Sequence, residues 1–403
     1  MRVHINPGVL RGSVQAPPSK SMGHRLMICA ALSGGTSTVR GISDSQDMLA
    51  TLDCLTALGA TCSQSGTTLT VHGIQSPTVG TPTLPCRESG STLRFLIPVA
   101  LTQSDRIRLT GSERLMERGV GVYENAFAQK NISFQRTADG LCISGDLTSG
   151  EYVLPGDVSS QFVSGLLFAL PRLDGDSTVR VLPPVESRSY IDMTVAAMAT
   201  FGVQVTEIET NTFYIKGRQQ YQATDVSVEG DWSNGAFLYA LQALGHPITV
   251  DGLDPDSLQG DRVCLRRLNE LKNGCPVIDI SDCPDLGPIL FAVAGACHGA
   301  TFTGTRRLQI KESDRARAMA DELGKLGVTV EIHDNTVVVH GGTLTPPKTP
   351  LCGHNDHRVV MALSVLLSLV GGDIQGAEAV AKSYPSFFEE LEQLGLEVTY
   401  DVE

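Results

Sequence analysis

Positive charge is scarce: 31 Lys and Arg stand against 44 Asp and Glu, a formal net charge of −13. That balance excludes a broad nucleic-acid-binding face, which needs clustered basic residues, so any cationic site must be local. Aromatic residues make up only 5%, with Trp232 the single tryptophan. The ten cysteines, at 29, 54, 62, 86, 142, 264, 275, 283, 297 and 352, include no C-x-x-C pair, and several sit inside apolar runs. Neither a zinc site nor a disulfide scaffold is expected from that spacing; the thiols read as small buried side chains in a reducing cytosol. The start Met1-Arg2-Val3-His4-Ile5 lacks the long apolar core of a secretory signal. The longest apolar run, around Val359 to Val370, is too short to span a bilayer and is broken by serines. The expectation is a cytoplasmic protein with no nucleic-acid, membrane or metal partner.

What is present is a globular composition, 41% hydrophobic and 19% charged over 403 residues, more than one core of ordinary size holds. Self-similarity organises it. An Ala/Leu-rich helix that stops at Gly or a polar turn is predicted at 25–35, 92–103, 161–173, 234–245, 286–299 and 359–371. The ends lie roughly seventy residues apart, apart from one interval of about fifty-five. A short β-like run follows each (38–42, 107–111, 178–181, 248–252, 300–304, 373–376), then an amphipathic helix (48–59, 122–131, 191–202, 263–273, 316–327, 387–395). Most units then carry an alternating hairpin, as at 60–62 with 69–72 and 328–331 with 336–340. Six copies group naturally as three plus three, with a boundary near Ser227–Asp231, and the segment before Pro17 is expected to lend a strand to the second half.

Polar residues gather before every buried helix. The first case is Pro17-Pro18-Ser19-Lys20-Ser21-Met22-Gly23-His24-Arg25, where two prolines fix an extended approach and Ser19 can cap. The others are Arg87 to Arg94, Gly156 to Gln161, Glu229 to Asn234, Cys283 to Leu286 and Gly353 to Arg358. A solvated first turn on a buried helix explains any one of these, and Asp231 and Asn234 read as simple caps. It does not explain why Lys20, Arg25, Arg94 and Arg358 recur in first turns, where the helix dipole disfavours cations unless an anion lies between. With pseudo-threefold packing these starts would converge, and two such domains would enclose a polyanion cleft. Arg118, Lys382 and the run Lys311-Glu312-Ser313-Asp314-Arg315 add cations. In a helical register Lys311 and Arg315 share a face while Glu312 projects about 100° away.

Taken together, the chain resembles the 5-enolpyruvylshikimate-3-phosphate synthases of the enolpyruvyl transferase family, over nearly all its length. The motifs are Pro-Ser-Lys-Ser with Arg25, Glu-Ser-Gly-Ser-Thr-Leu-Arg ending at Arg94, Ser-Ser-Gln-Phe (159–162), Ser187 with Tyr190-Ile191-Asp192, Lys-Glu-Ser-Asp-Arg (311–315), Asn-Asp-His-Arg (355–358) and Ala-Lys-Ser-Tyr-Pro (381–385). Several motifs in one order make a specific signal. The resemblance implies an α/β (α+β) fold of two inside-out α/β barrel domains, 1–18 with 229–403 and 19–228. Each would hold three βαβαββ units with pseudo-threefold symmetry, and the active site would lie in the cleft between them. Because cationic walls repel until substrate neutralises them, the halves are also expected to hinge near 17–20 and 227–231.

It further implies transfer of the enolpyruvyl group of phosphoenolpyruvate to the 5-hydroxyl of shikimate 3-phosphate, releasing phosphate, in a monomer that uses no metal or organic cofactor. Carried over residue by residue, Lys20, Ser21, Arg25, Ser159, Ser160, Gln161, Ser187, Asp285 and Lys311 would hold shikimate 3-phosphate. Lys20, Gly90, Arg94, Arg118, Gln161, Arg315, Arg358 and Lys382 would hold phosphoenolpyruvate. Asp285 would take the hydroxyl proton and Glu312 would supply one to the methylene carbon, with Lys20, Lys382 and His357 completing the catalytic set. Two phosphates and two carboxylates call for several cations, and arginine suits bidentate capture. Three positions depart from the family's commoner pattern: Glu88 stands for Asn, Gly119 for Pro and Arg307 for Asn.

A rival within the same fold, the UDP-N-acetylglucosamine enolpyruvyltransferase, uses a reactive Cys on a loop of the second unit. Here 112–125 contains no Cys, and Ser21 stands where that enzyme has Asn. A catalytically silent anion-binding relative would have lost Lys20, Asp285, Glu312 or Lys382, and all four are present.

Overall fold

The structure, a computed structural model, describes residues 1–401. The chain divides into two compact units, one of Met1–Ser19 with Gly230–Glu403 and the other of Lys20–Glu229. Each has its own apolar core, one gathered around Leu290, Phe291 and Leu366, the other around Leu96, Phe168 and Leu166.

The six apolar helices form, starting one to five residues earlier than the sequence pattern suggests except for the fifth. They are Lys20–Leu32, Gly90–Leu101, Ser160–Ala169, Trp232–Ala243, Gly287–Ala296 and His357–Val370, and each is buried over most of its length. Helices that are apolar all round belong inside a core rather than on its face. The early starts have a local cause: Ser89, Ser159, Asp231 and Asp356 accept hydrogen bonds from backbone N–H groups of the first turn, so polar residues extend each helix ahead of its apolar run.

Small sheets surround them. In the second unit Thr83–Pro85 runs parallel to Arg106–Thr110, which pairs antiparallel with Gly140–Ser144 and through it with Ser133–Thr137. The same parallel pair followed by a hairpin recurs for Gly150–Pro155, Ser177–Leu182, Thr212–Ile215 and Val205–Glu209. It recurs again in the first unit for Val277–Asp279, Gly299–Thr303, Thr336–His340 and Val330–Ile332. Thr36–Arg40 takes its parallel neighbour from Val226–Ser227, at the far end of the same unit.

The segment before Pro17 supplies two strands rather than one. Arg2–Ile5 lies between Gly372–Gln375 and Val398–Asp401, and Gly12–Gln15 pairs with Ile248–Asp251. The amphipathic helix expected at 122–131 is shorter, Gly121–Phe127, and a further short helix, Glu113–Glu117, precedes it. Gly119 sits between them at φ 70°, a left-handed conformation that proline cannot adopt, which gives the departure at this position a backbone reason. Among the described residues no helix is long and apolar enough to cross a membrane.

Candidate active site

In the first unit, Asp285 sits in the 3-10 turn Pro284–Leu286 that leads into the helix Gly287–Ala296. Three cations end on its carboxylate. Lys311 Nζ and Arg315 Nη1 donate to Oδ1 at 3.0 and 2.8 Å, and Arg358 Nη2 donates to Oδ2 at 3.1 Å. Arg315, 1% exposed, also donates from Nη2 to Glu312 Oε2 at 2.7 Å and from Nε to Asp356 Oδ2 at 2.9 Å. Asp356 caps the helix His357–Val370 by accepting from the Arg358 N–H at 3.0 Å, and it accepts from Ser313 Oγ at 3.0 Å. His357 is buried, its Nδ1 4.0 Å from Asp356 Oδ1. Lys382, also buried, donates to the Asn355 carbonyl at 2.6 Å.

These contacts fix protonation. Burial works against an ionised Asp285, but Arg358, Lys311 and Arg315 outweigh it and hold the carboxyl well below the usual carboxylate range. Burial pushes the Lys311 ammonium down to about 8; Arg315 and Arg307 add to the shift, and Asp285 and Glu312 only partly oppose it. For Arg315 burial is overcome by Asp356, Glu312 and Asp285, so its guanidinium is held above its ordinary range.

The run 311–315 does not start a helix as its spacing suggests. Asp314 is the cap, accepting from the Arg317 N–H at 3.1 Å, and the helix is Arg315–Lys325. Lys311 lies ahead of it with an extended ψ of −164°. Lys311 and Arg315 nevertheless meet on one oxygen, through Asp285 rather than through a shared helix face.

In the second unit Lys20 opens its helix and donates to Asp47 Oδ2 at 2.8 Å, with both side chains largely covered. The Ser21 carbonyl accepts from Arg25 Nη1 at 2.6 Å. Arg25, 2% exposed, also donates to Thr194 Oγ1 at 2.9 Å and to the Tyr190 carbonyl at 2.8 Å, and lies 5.1 Å from the Phe95 ring centroid. Burial lowers it to about 10. Ser187 precedes the helix Arg188–Thr200 at φ 56° and is buried.

A second group surrounds Arg94. Its Nη1 donates to Gln161 Oε1 at 2.8 Å and its Nη2 to the Arg118 carbonyl at 3.3 Å, while Gln161 Nε2 donates to Ser91 Oγ at 2.9 Å. Ser159 caps the helix that carries Ser160 and Gln161, accepting from the Gln161 N–H at 3.3 Å. A Cβ on Gly90 would lie 2.8 Å from Arg118 Nη2, so the glycine lets that guanidinium rest against the backbone. Behind these, a buried chain runs from His24 Nδ1 to Thr51 Oγ1 (2.7 Å), to Thr92 Oγ1 (2.7 Å) and to Ser89 Oγ (2.7 Å). Burial, with Lys20 and Arg25 nearby, keeps His24 a neutral imidazole.

Within each unit, then, the residues singled out from sequence fall into groups: Lys20 on Asp47; Arg25 with Ser21 and Tyr190; Gly90, Arg94, Arg118 and Gln161; and Asp285 with Lys311, Glu312, Arg315 and Arg358. Sequence reasoning gave no role of their own to Asp47, Asp356 and Ser233. Asp231 caps as expected, accepting from the Asn234 N–H at 2.9 Å, while Asn234 lies inside the helix. Asp231 also accepts from Ser233 Oγ at 2.6 Å, and Ser233 Oγ accepts from Arg358 Nη2 at 2.9 Å. The available signal was an acidic cap within two residues of an arginine in the same first turn, as in Asp356-His357-Arg358.

Among the first-turn cations, Lys20 is offset by the carboxylate of Asp47 and Arg358 by that of Asp285. A two-unit α/β protein with buried lysines and arginines at its helix starts is of the class that handles small, multiply charged anions. A sequence profile of EPSP synthase (3-phosphoshikimate 1-carboxyvinyltransferase) matches residues 5–275 and 266–391, and the chain belongs to that family. The 3-phosphoshikimate 1-carboxyvinyltransferase of Clostridium kluyveri is 43% identical over 98% of each chain, and that of Clostridioides difficile is 38% identical over 97% of each. A structure of EPSP synthase from Acinetobacter baumannii matches with a TM-score of 0.78 at 23% identity, over 99% of this chain and all of the other, and shows a shared two-domain α/β fold.

Proposed function

We propose that the protein transfers the enolpyruvyl group of phosphoenolpyruvate to the 5-hydroxyl of shikimate 3-phosphate, releasing phosphate. The observation that carries the reading is the cluster of Lys311, Arg315 and Arg358 on Asp285, which joins a would-be base to cations suited to a carboxylate and a phosphate. Its support is membership of the family and the presence of that family's motif residues in one order.

In this reading Lys20, Ser21, Arg25, Ser159, Ser160, Gln161, Ser187, Asp285 and Lys311 hold shikimate 3-phosphate. Lys20, Gly90, Arg94, Arg118, Gln161, Arg315, Arg358 and Lys382 hold phosphoenolpyruvate, and the two units serve the same substrate pair. Each unit is read as three βαβαββ modules of an inside-out barrel.

The chemistry is addition followed by elimination. The 5-hydroxyl oxygen bonds to C2 of phosphoenolpyruvate as its proton passes to Asp285, and the methylene carbon becomes a methyl group by gaining a proton from Glu312, which takes that proton up once bound substrate draws Arg315 from it. The C2–O bond to phosphate then breaks with its electron pair, a methyl proton returns to the Glu312 carboxylate as the double bond is restored, and the departing phosphate takes the proton held by Asp285. Guanidinium capture of phosphoenolpyruvate draws Arg315 and Arg358 away from Asp285 and so raises the proton affinity of the base when it is needed. The test is phosphate release with phosphoenolpyruvate and each acceptor: shikimate 3-phosphate supports it, and release with UDP-N-acetylglucosamine alone replaces the reading with the sister activity.

A further inference from the structure

The buried carboxylate of Glu322 lies outside all of these groups. Glu322, 2% exposed, is on the helix Arg315–Lys325, two turns beyond Arg315. Its Oε2 accepts from the Cys352 backbone N–H at 2.8 Å and from Lys325 Nζ at 2.8 Å, and its Oε1 lies 3.0 Å from His354 Nε2. Burial opposes the charge, but the bonds from His354, Lys325 and the Cys352 amide outweigh it, and Glu322 is held below its ordinary range. An ionised carboxylate only accepts, so His354 donates to it through Nε2.

The segment gripped in this way has an uncommon backbone. His354 and Asn355 are consecutive left-handed residues, at φ 49° and 52°, a conformation that L side chains rarely adopt. The turn they make delivers two groups. The Asn355 carbonyl accepts from Lys382 Nζ at 2.6 Å, and the next residue, Asp356, holds Arg315 Nε at 2.9 Å. A single helix therefore holds this loop at two points, through Arg315 on Asp356 and through Glu322 on Cys352 and His354.

We propose that Glu322 and His354 are positioning residues for phosphoenolpyruvate: they fix the left-handed turn 354–355 and through it the places of Lys382 and Arg315. The inference rests on the reading of Lys382 and Arg315 as phosphoenolpyruvate cations. Loosening the turn moves the carbonyl that anchors Lys382 and the carboxylate that anchors Arg315, while Lys20, Ser159 and Gln161 belong to the other unit and keep their contacts.

The test is steady-state phosphate release by the full-length protein and by Glu322→Ala, Glu322→Gln and His354→Gly, with KM measured separately for each substrate and thermal melting alongside. Glycine at 354 removes the bond to Glu322 yet suits the left-handed backbone, so a purely structural role predicts unchanged kinetics for it. The expected result is a KM for phosphoenolpyruvate raised roughly fivefold or more in Glu322→Ala and His354→Gly, with the KM for shikimate 3-phosphate within about twofold. Glu322→Gln, whose amide oxygen still accepts from Cys352, should recover most of the loss. A His354→Gly enzyme with wild-type KM values, or equal shifts for both substrates, overturns the inference while the parent reading stands. Wild-type protein that releases no phosphate with either acceptor overturns the enolpyruvyl-transfer reading and this inference with it.

Discussion

Arg315 Nη1 donates to Asp285 Oδ1 at 2.8 Å, so the carboxylate read as the base is held by a cation read as a substrate clamp. Lys311 shares that oxygen and Arg358 takes the other, which leaves Asp285 a strong acceptor of hydrogen bonds and a weak acceptor of protons until an anion competes for the guanidinium groups.

Replacing Asp285 by Asn keeps the shape and removes the proton acceptor. The expected outcome is a fall in kcat of about 10²-fold or more, with the protein folded. The same variant leaves Lys311, Arg315 and Arg358 without their shared counter-ion, so sulfate should raise its melting temperature more than it raises that of the wild type. Differential scanning fluorimetry with and without sulfate checks this.

Lys311 sets a pH limit. Its folded-state value of about 8 lies below the ordinary 10.5, so between those values the unfolded chain binds the extra proton and this group's contribution to stability rises with pH. Below about 8 both states are protonated, and the cost of burying the ammonium is fully present. Binding runs the opposite way, since shikimate 3-phosphate is an anion and the ammonium is lost as pH rises through about 8. The KM for shikimate 3-phosphate should therefore climb from pH 7.5 to pH 9.5, by up to roughly tenfold per pH unit in the limit where the charge is essential, and Lys311→Arg should flatten that rise.

Much of this fold is legible in the sequence because burial repeats. The six apolar helices announce themselves by composition, and their polar starts by capping residues. What was not legible is non-local. That Lys311 and Arg315 meet on Asp285 depends on a loop–turn contact 26 and 30 residues away, and the local spacing suggested a shared helix face instead. The break at Gly119 rests on one backbone angle that no periodicity encodes. Asp356 looks like any helix cap from sequence, and only the fold shows that its second oxygen is occupied by Arg315.

Gly90→Ala places a methyl group 2.8 Å from Arg118 Nη2. The side chain is flexible and can move, so the variant should fold normally. The guanidinium moves off the backbone, and the KM for phosphoenolpyruvate should rise several-fold, about 1 kcal/mol of lost binding, with a smaller change for shikimate 3-phosphate. Paired KM measurements on the purified variant decide it.

Asp47 orients Lys20 across 2.8 Å in a largely covered site. Because Lys20 is read as touching both substrates, Asp47→Ala should lower kcat/KM for each by about tenfold, a pattern distinct from the one-sided effect expected at Gly90. A change confined to one substrate would remove Lys20 from its shared role.

The reaction is tested by identifying the products after incubation of the purified protein with phosphoenolpyruvate and shikimate 3-phosphate. One phosphate should appear for each shikimate 3-phosphate consumed, and mass spectrometry should find the acceptor enlarged by one carboxyvinyl group. UDP-N-acetylglucosamine should remain unchanged in a parallel incubation. Phosphate released only with the nucleotide sugar, or phosphoenolpyruvate hydrolysed with the acceptor left unmodified, would rule out enolpyruvyl transfer to shikimate 3-phosphate.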